Sequence, residues 1–249
     1  MAPGATAPLT DVHVHLPAYP DPSTVVESAS RSGIRLISVT VSPEEAVTSL
    51  RLKRETPTAF RAFIGVHPSE AESTPSGIEE LSPLWESADG VGEVGLDPKY
   101  SEVSAKSAQM RLFEGQVAVA ARLHKPLEVH SRGAEGKCLD VLEGYSPPSV
   151  LMHWFEGEEF VERVLSRPRC FVSFGPALLY SKKLARVAKR LPPDAVLTES
   201  DGPVAFAALG GPAGPGLVPS VAFRLAELWG MRFEDAAHQL SVNFDRFLG

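Results

Sequence analysis

The stretch LTDVHVHLPAYP, residues 9–20, follows a short tail of small residues and prolines. It ends the chain's first apolar run with two histidines one residue apart. Alternate side chains of a β-strand share a face. A strand over residues 11–15 therefore sets Asp11, His13 and His15 on one side, with Val12 and Val14 on the other. Three polar groups converging at a strand end are either a surface accident or part of a metal site. The rest of the chain decides between them.

Working outward, short runs rich in Val, Ile and Phe alternate with helix-like segments to the C-terminus. Strands are predicted at 11–15, 35–40, 62–67, 90–96, 126–131, 149–154, 170–175 and 195–200. Between them, SPEEAVTSLRLKRE opens with Ser42 as N-cap, Pro43 at the first helical position and Glu45 completing a capping box. SAQMRLFEGQVAVAARLHK spaces Met110, Phe113, Val117 and Ala121 three or four apart, as an amphipathic helix against a sheet requires. Further helices are expected at 157–166, 181–190 and 219–229, with His238 on a C-terminal one. Eight strands interleaved with helices predict an α/β fold, a single-domain (β/α)8 TIM barrel over 10–249 behind a flexible tail, 1–9. No GxGxxG follows the first strand and no GxxxxGK[ST] occurs, which removes the usual nucleotide-binding versions of an open sheet. The Gly- and Pro-rich stretch 202–217 has no periodicity and is expected to be a long loop, functional or merely mobile.

A length of 249 residues is ordinary for one such barrel, and 43% hydrophobic content suffices for its core. No apolar run approaches the length of a membrane span, and the first residues lack the basic and apolar regions of a signal peptide, so a cytoplasmic location is expected. Cys138 and Cys170 form no CxxC pair and read as buried apolar residues. A net charge of -7 argues against broad electrostatic attachment to nucleic acid, though not against a local site or an acidic pocket reversed by cations.

Barrel enzymes build their active sites at the C-terminal ends of the strands. The residues there are His13 and His15 on the first strand, His67 on the third, Glu93 on the fourth, His130 on the fifth, His153 on the sixth and Asp201 just past the eighth. Of the seven histidines, only His124 and His238 fall elsewhere, and both read as structural. Histidines gathered with carboxylates at one mouth suit a divalent cation such as Zn, Mn or Fe better than Ca. His67 is open between a substrate contact and a ligand.

These motifs resemble the TatD family of metal-dependent deoxyribonucleases, within the amidohydrolase superfamily. DVHVHL is similar to the family's opening HxH, IGVHPSEA to its G-[IV]-H-P segment and VGEVGLD to its G-E-[IV]-G-L-D signature. QMRLFEGQVAVAARLHKPLEVHSRGA resembles its Q-x3-F helix followed by the strand ending in HSR. MHWFEG, LTESDGP and SVNFDRFLG resemble its last three motifs, in order and at similar spacing from residue 11 to the end.

The resemblance implies two divalent metal ions, Zn, Mn or Mg. His13, His15 and Asp201 would hold one, Glu93 would bridge, and His130 and His153 would complete the other. It implies hydrolysis of DNA phosphodiester bonds by metal-activated water, within the strand or from an end, with Asp201 as general base and Glu93 as the second catalytic carboxylate. Asp97 is expected to orient a ligand histidine or bind substrate. Arg132 is placed to fork onto a phosphate oxygen or to pair with Glu135 or Asp97. The basic run SKKLARVAKR, 181–190, reads as a solvated helix face or a track for a nucleic-acid backbone. The chain departs from the family where GGPAGPGLVPS, 210–220, carries no Arg, Lys or Asn, and where Tyr100 stands two residues beyond Pro98. An amide, lactone or aminoacyl ester is therefore the alternative substrate on the same barrel. DNA or another nucleic acid is the expected partner; no membrane and no obligate protein partner is indicated.

Overall fold

The computed structural model describes residues 7–74, 76–100, 105–206, 208 and 210–249. The chain alternates β1 (Leu9–Val14), α1 (Pro22–Arg31), β2 (Ile34–Ser38), α2 (Pro43–Glu55), β3 (Phe60–Ile64), α3 (Gly77–Leu81), β4 (Gly90–Gly95), α4 (Ala105–Arg122), β5 (Leu127–His130), α5 (Glu135–Glu143), β6 (Val150–Met152), α6 (Val161–Ser166), β7 (Cys170–Phe174), α7 (Lys182–Arg190) and β8 (Val196–Thr198). A two-residue hairpin, β9 (Ala205–Phe206) with β10 (Gly211–Pro212), precedes α8 (Val218–Trp229) and α9 (Phe233–Leu248). The strands pair in parallel in sequence order β1 to β8. The seam between β8 and β1 is closed by Asp201 N–H to His13 O at 2.9 Å and His15 N–H to Gly202 O at 2.8 Å. The result is a nearly closed (β/α)8 barrel, as the alternation of motifs predicts.

Inside the barrel, Val12, Ile37, Val39, Phe63, Leu151, Phe171 and Leu197 form one apolar cluster with Phe244 and Phe247 of α9. The Phe247 ring lies 5.7 Å from that of Phe63 and 6.0 Å from that of Phe171, strands β3 and β7, and so stops the bottom of the barrel. Asn243, one turn earlier, donates to Pro193 O and Val196 O at the entry to β8. These bonds give the final N-x-x-R motif a structural reason. A larger cluster lies between the strands and the surrounding helices.

Several expectations need correction. Strand β1 begins at Leu9, inside the expected tail, while residues 1–6 of that tail lie outside the described residues. Its register shifts between Asp11 and Val14. Val12 consequently joins the inner cluster and Val14 the outer one, rather than sharing a face. The Asp11 carboxylate bonds Ser200 N–H at 2.8 Å and His13 N–H at 3.3 Å, replacing ladder bonds at the seam instead of joining the histidines. Ser42 caps α2, but Glu45 reaches back to Val41 N–H at 3.0 Å rather than to the cap residue. Helix α4 ends at Arg122, so His124 lies beyond it at φ +50°. Stretch 202–217 is braced rather than wholly irregular. Ala213 bonds Val204, and Tyr19 Oη donates to Ala213 O at 3.2 Å; residues 207 and 209 lie outside the described residues.

Candidate metal centre

His13, Glu93 and His130 lie within β1, β4 and β5, and the remaining residues of the site sit where the regular ladder stops. His15 follows β1 and caps a 3-10 turn, His67 lies three residues past β3, and His153 directly follows β6. Asp201, at φ +53°, lies three residues past β8. Irregular backbone lets strands that splay apart aim their side chains at one point. Helix α4 braces two of these ends with buried glutamines seven residues apart. Gln116 exchanges both amide bonds with the backbone of Val66, at 2.8 and 3.0 Å. Gln109 accepts Asp97 N–H at 3.0 Å and donates to Asp97 O and Pro68 O.

The geometry divides about Glu93. Its Oε2 faces His13 Nε2 at 3.7 Å and His15 Nε2 at 3.8 Å, while Asp201 Oδ1 lies 3.4 and 3.3 Å from the same two nitrogens. Its Oε1 lies 2.7 Å from His130 Nδ1 and 2.8 Å from His153 Nε2. His67 Nε2 stands 3.7 Å from Oε1. All six expected ligands are thus brought together at one mouth, with His67 beside them.

This donor set fits divalent cations. Ligand atoms about 2.1 Å from a common ion lie about 3–3.5 Å from one another, close to the spacing around His13, His15 and Asp201. The charge inventory points the same way. Glu93, Glu128, Glu199 and Asp201 are all buried, yet among the described residues no Lys or Arg forms an ion pair with any of them. Buried carboxylates need compensating positive charge. Here protons on histidines supply it. Burial pushes His13 down, but Glu128 and Glu93, helped by Asp201, hold it well above the usual imidazole range. Burial and His13 lower His153 and are outweighed by Glu93, so that it rises to about 10. Burial raises Glu93 and Asp201, but the surrounding histidines hold both well below the carboxylate range.

His67 is different. Its Nδ1 accepts Ser69 N–H at 3.1 Å, so the neutral ring carries its proton on Nε2, the atom that faces the site. Burial, opposed by Glu93, lowers its pKa to about 3 and keeps it neutral. Its Nε2–H is therefore a donor aimed into the site rather than a free lone pair.

Behind the ligands lies a layer of acids. Asp97 Oδ2 bonds His130 Nε2 at 2.8 Å, Glu128 bonds His13 Nδ1, and Glu199 Oε2 faces His153 Nδ1 at 3.7 Å while accepting Ser173 Oγ at 2.6 Å. Sequence reasoning expected Asp97 and missed Glu128 and Glu199. The available signal was a charged residue inside an otherwise apolar strand, as in PLEVHS.

Above the ligands opens a cavity of about 560 Å³, lined among others by Tyr100, Arg132, Trp154 and Val204. Arg132 pairs with Asp97 at 2.7 Å rather than Glu135 and lies over the Tyr100 ring at 5.0 Å, with its side chain 45% exposed. The basic run on α7 is a solvated helix face, its Lys and Arg side chains exposed, with surface ion pairs from Lys183 to Glu156, Arg186 to Glu158 and Arg190 to Glu162. His124 and His238 lie away from the site, and Cys138 and Cys170 are buried free thiols.

Residues 10–249 match the family described as TatD related DNase. The chain is 31% identical over 251 residues to the Bacillus subtilis protein named Uncharacterized metal-dependent hydrolase YabD, across 96% of this chain and 98% of that protein. It is 27% identical over 213 residues to human Deoxyribonuclease TATDN3, across 78% of each. The crystal structure of YJJV, a TatD homologue from Escherichia coli K12, matches with a TM-score of 0.85 at 24% identity, covering 96% of this chain and 97% of that one. At that identity the likeness shows the fold.

Proposed function

The chain belongs to the TatD related DNase family, and from that premise we propose that it is a metal-dependent nuclease that hydrolyses phosphodiester bonds of DNA with two divalent cations. The observation that carries this reading is Glu93, whose two carboxylate oxygens face separate ligand groups. His13, His15 and Asp201 would hold one cation, His130 and His153 the other, and Glu93 would bridge. Bound there, the cations would supply charge to clamp a phosphodiester and acidify a water. The deoxyribonuclease name of the human relative supports the substrate class.

The protein's own groups would do the remaining work. Asp201 would accept a proton at a carboxylate oxygen, and His13 and His15 keep it in the charged form that role needs. His67 would donate its Nε2–H to a phosphate oxygen. Arg132, half-exposed at the rim, would hold a neighbouring phosphate while its ion pair with Asp97 keeps it in place. Asp97 would orient His130.

The experiment is hydrolysis by protein stripped with chelator and reloaded separately with Mg, Mn, Zn or Co. It is offered end-labelled DNA, a generic ester and a lactone. Metal-dependent release of nucleotides is expected, abolished in His13→Ala and reduced about 100-fold or more in Asp201→Asn. Hydrolysis of the ester or lactone alone would overturn the nuclease reading in favour of the amidohydrolase-type alternative.

A further inference from the structure

Trp154 enters none of the roles above, yet three observations set it apart. Its backbone lies at φ +42°, a left-handed conformation that a bulky residue adopts only when its surroundings impose it. It directly follows the ligand His153, and its side chain lines the cavity above the cluster. One face of its indole is covered by Phe206, with ring centres 5.2 Å apart and planes 15° from parallel. Phe206 is itself buried and is carried by the small β9–β10 hairpin.

Trp154 is partly buried against the outer apolar cluster and stacked on Phe206, and the part of its ring that lines the cavity is a flat apolar surface within reach of a ligand. Tyr100, across the cavity, is not equivalent, because the Arg132 guanidinium lies over its ring. Among the described residues that line the cavity, Trp154 is the aromatic carbon surface beside the cluster that no cation covers. Nucleobases stack on such surfaces whatever their sequence, since each has a π-face. We infer that the Phe206-backed face of Trp154 is a stacking subsite for the nucleobase adjoining the bond that is cut, and so determines how the substrate is held. This rests on the nuclease reading. It requires a base already free of its own neighbour on one side. It also gives the hairpin between Gly202 and Leu217 a task that needs no charge: holding Phe206 in place. The absence of Arg, Lys and Asn from residues 210–220 is then no obstacle to binding nucleic acid.

The test compares the wild type with Trp154→Ala and Trp154→Phe, metal-loaded, on an oligothymidylate and on an oligomer of the same length built from abasic tetrahydrofuran units. Trp154→Ala is expected to raise KM for the oligothymidylate about tenfold or more with little change in kcat. The abasic oligomer, which has nothing to stack, should shift less than about threefold, and Trp154→Phe should recover most of the loss. Equal shifts on both substrates, or none on either, would overturn the subsite. A second readout needs no turnover: oligothymidylate added to metal-free protein should quench indole fluorescence in the wild type and not in Trp154→Phe. Quenching without hydrolysis would sink the nuclease reading, and with it the subsite's place beside a cut bond, while leaving Trp154 as a base-stacking surface. Hydrolysis that is indifferent to Trp154 would keep the nuclease and sink the subsite. Neither quenching nor hydrolysis would sink both.

Discussion

An imidazole presents a lone pair in a defined direction only when its other nitrogen is held, and for His13 and His130 a buried acid does the holding. Glu128 takes His13 Nδ1, Asp97 takes His130 Nε2 and Glu199 faces His153 Nδ1, which leaves His13 Nε2, His130 Nδ1 and His153 Nε2 turned toward Glu93. Such partners fix the tautomer and raise ligand basicity. Glu128→Gln keeps the size of the side chain but removes its charge, and is expected to weaken metal binding about 10- to 100-fold with the fold retained. Titration calorimetry of the stripped protein with Mn or Zn measures this, and unchanged affinity would remove Glu128 from the role. Glycine makes room for the same acid: a Cβ on Gly92 would lie 2.8 Å from Glu128 Cβ.

At the scale of elements, α9 acts as a stopper rather than as one more outer helix. Phe247 closes the barrel floor between β3 and β7, and Ser149 Oγ bonds its carbonyl oxygen. Phe247→Ala would leave a cavity that the surrounding strands cannot easily fill. The expected cost is about 3–5 kcal/mol, read as a lower urea midpoint at constant m-value. A loss under about 1 kcal/mol would mean that the floor collapses onto the gap. Helix α4 works in the opposite direction, toward the mouth, where Gln109 and Gln116 fix the strand ends that carry Asp97 and His67.

Over the whole molecule, the barrel gathers buried carboxylates at its mouth, and among the described residues Glu93, Glu128, Glu199 and Asp201 have histidines but no Lys or Arg as charge partners. Cations that bind the folded mouth and not the unfolded chain stabilise the fold by mass action, by about 2.7 kcal/mol at a hundredfold excess over Kd. For a chain of this size that corresponds to a rise in Tm of about 5–10 °C. Scanning calorimetry with Mn, with Zn and with chelator is the check. Loss of the rise in His13→Ala would tie it to this site, whereas an equal rise in the variant would place the bound ions elsewhere.

The strand ends were legible because a strand's side chains repeat every second residue and a barrel presents its functional groups at one rim, so His13, His15, His67, Glu93, His130, His153 and Asp201 could be read in order along the chain. Family motifs added Asp97 and Arg132. What stayed hidden depended on partners distant in sequence. Glu128 and His13 stand 115 residues apart, and nothing local to either announces the bond. The slip in register that separates Val12 from Val14 arises at the seam, where the Asp11 carboxylate substitutes for ladder bonds. Trp154 became distinct only once its backbone angle turned the ring toward the cavity and Phe206, more than fifty residues on, closed the face behind it. Sequence by itself determined which chemical groups this protein owns and at which rim they gather, because patterning is local. Tertiary structure alone decided which nitrogen each histidine offers and which aromatic ring lines the cavity, because those follow from contacts between strands that meet only when the barrel closes.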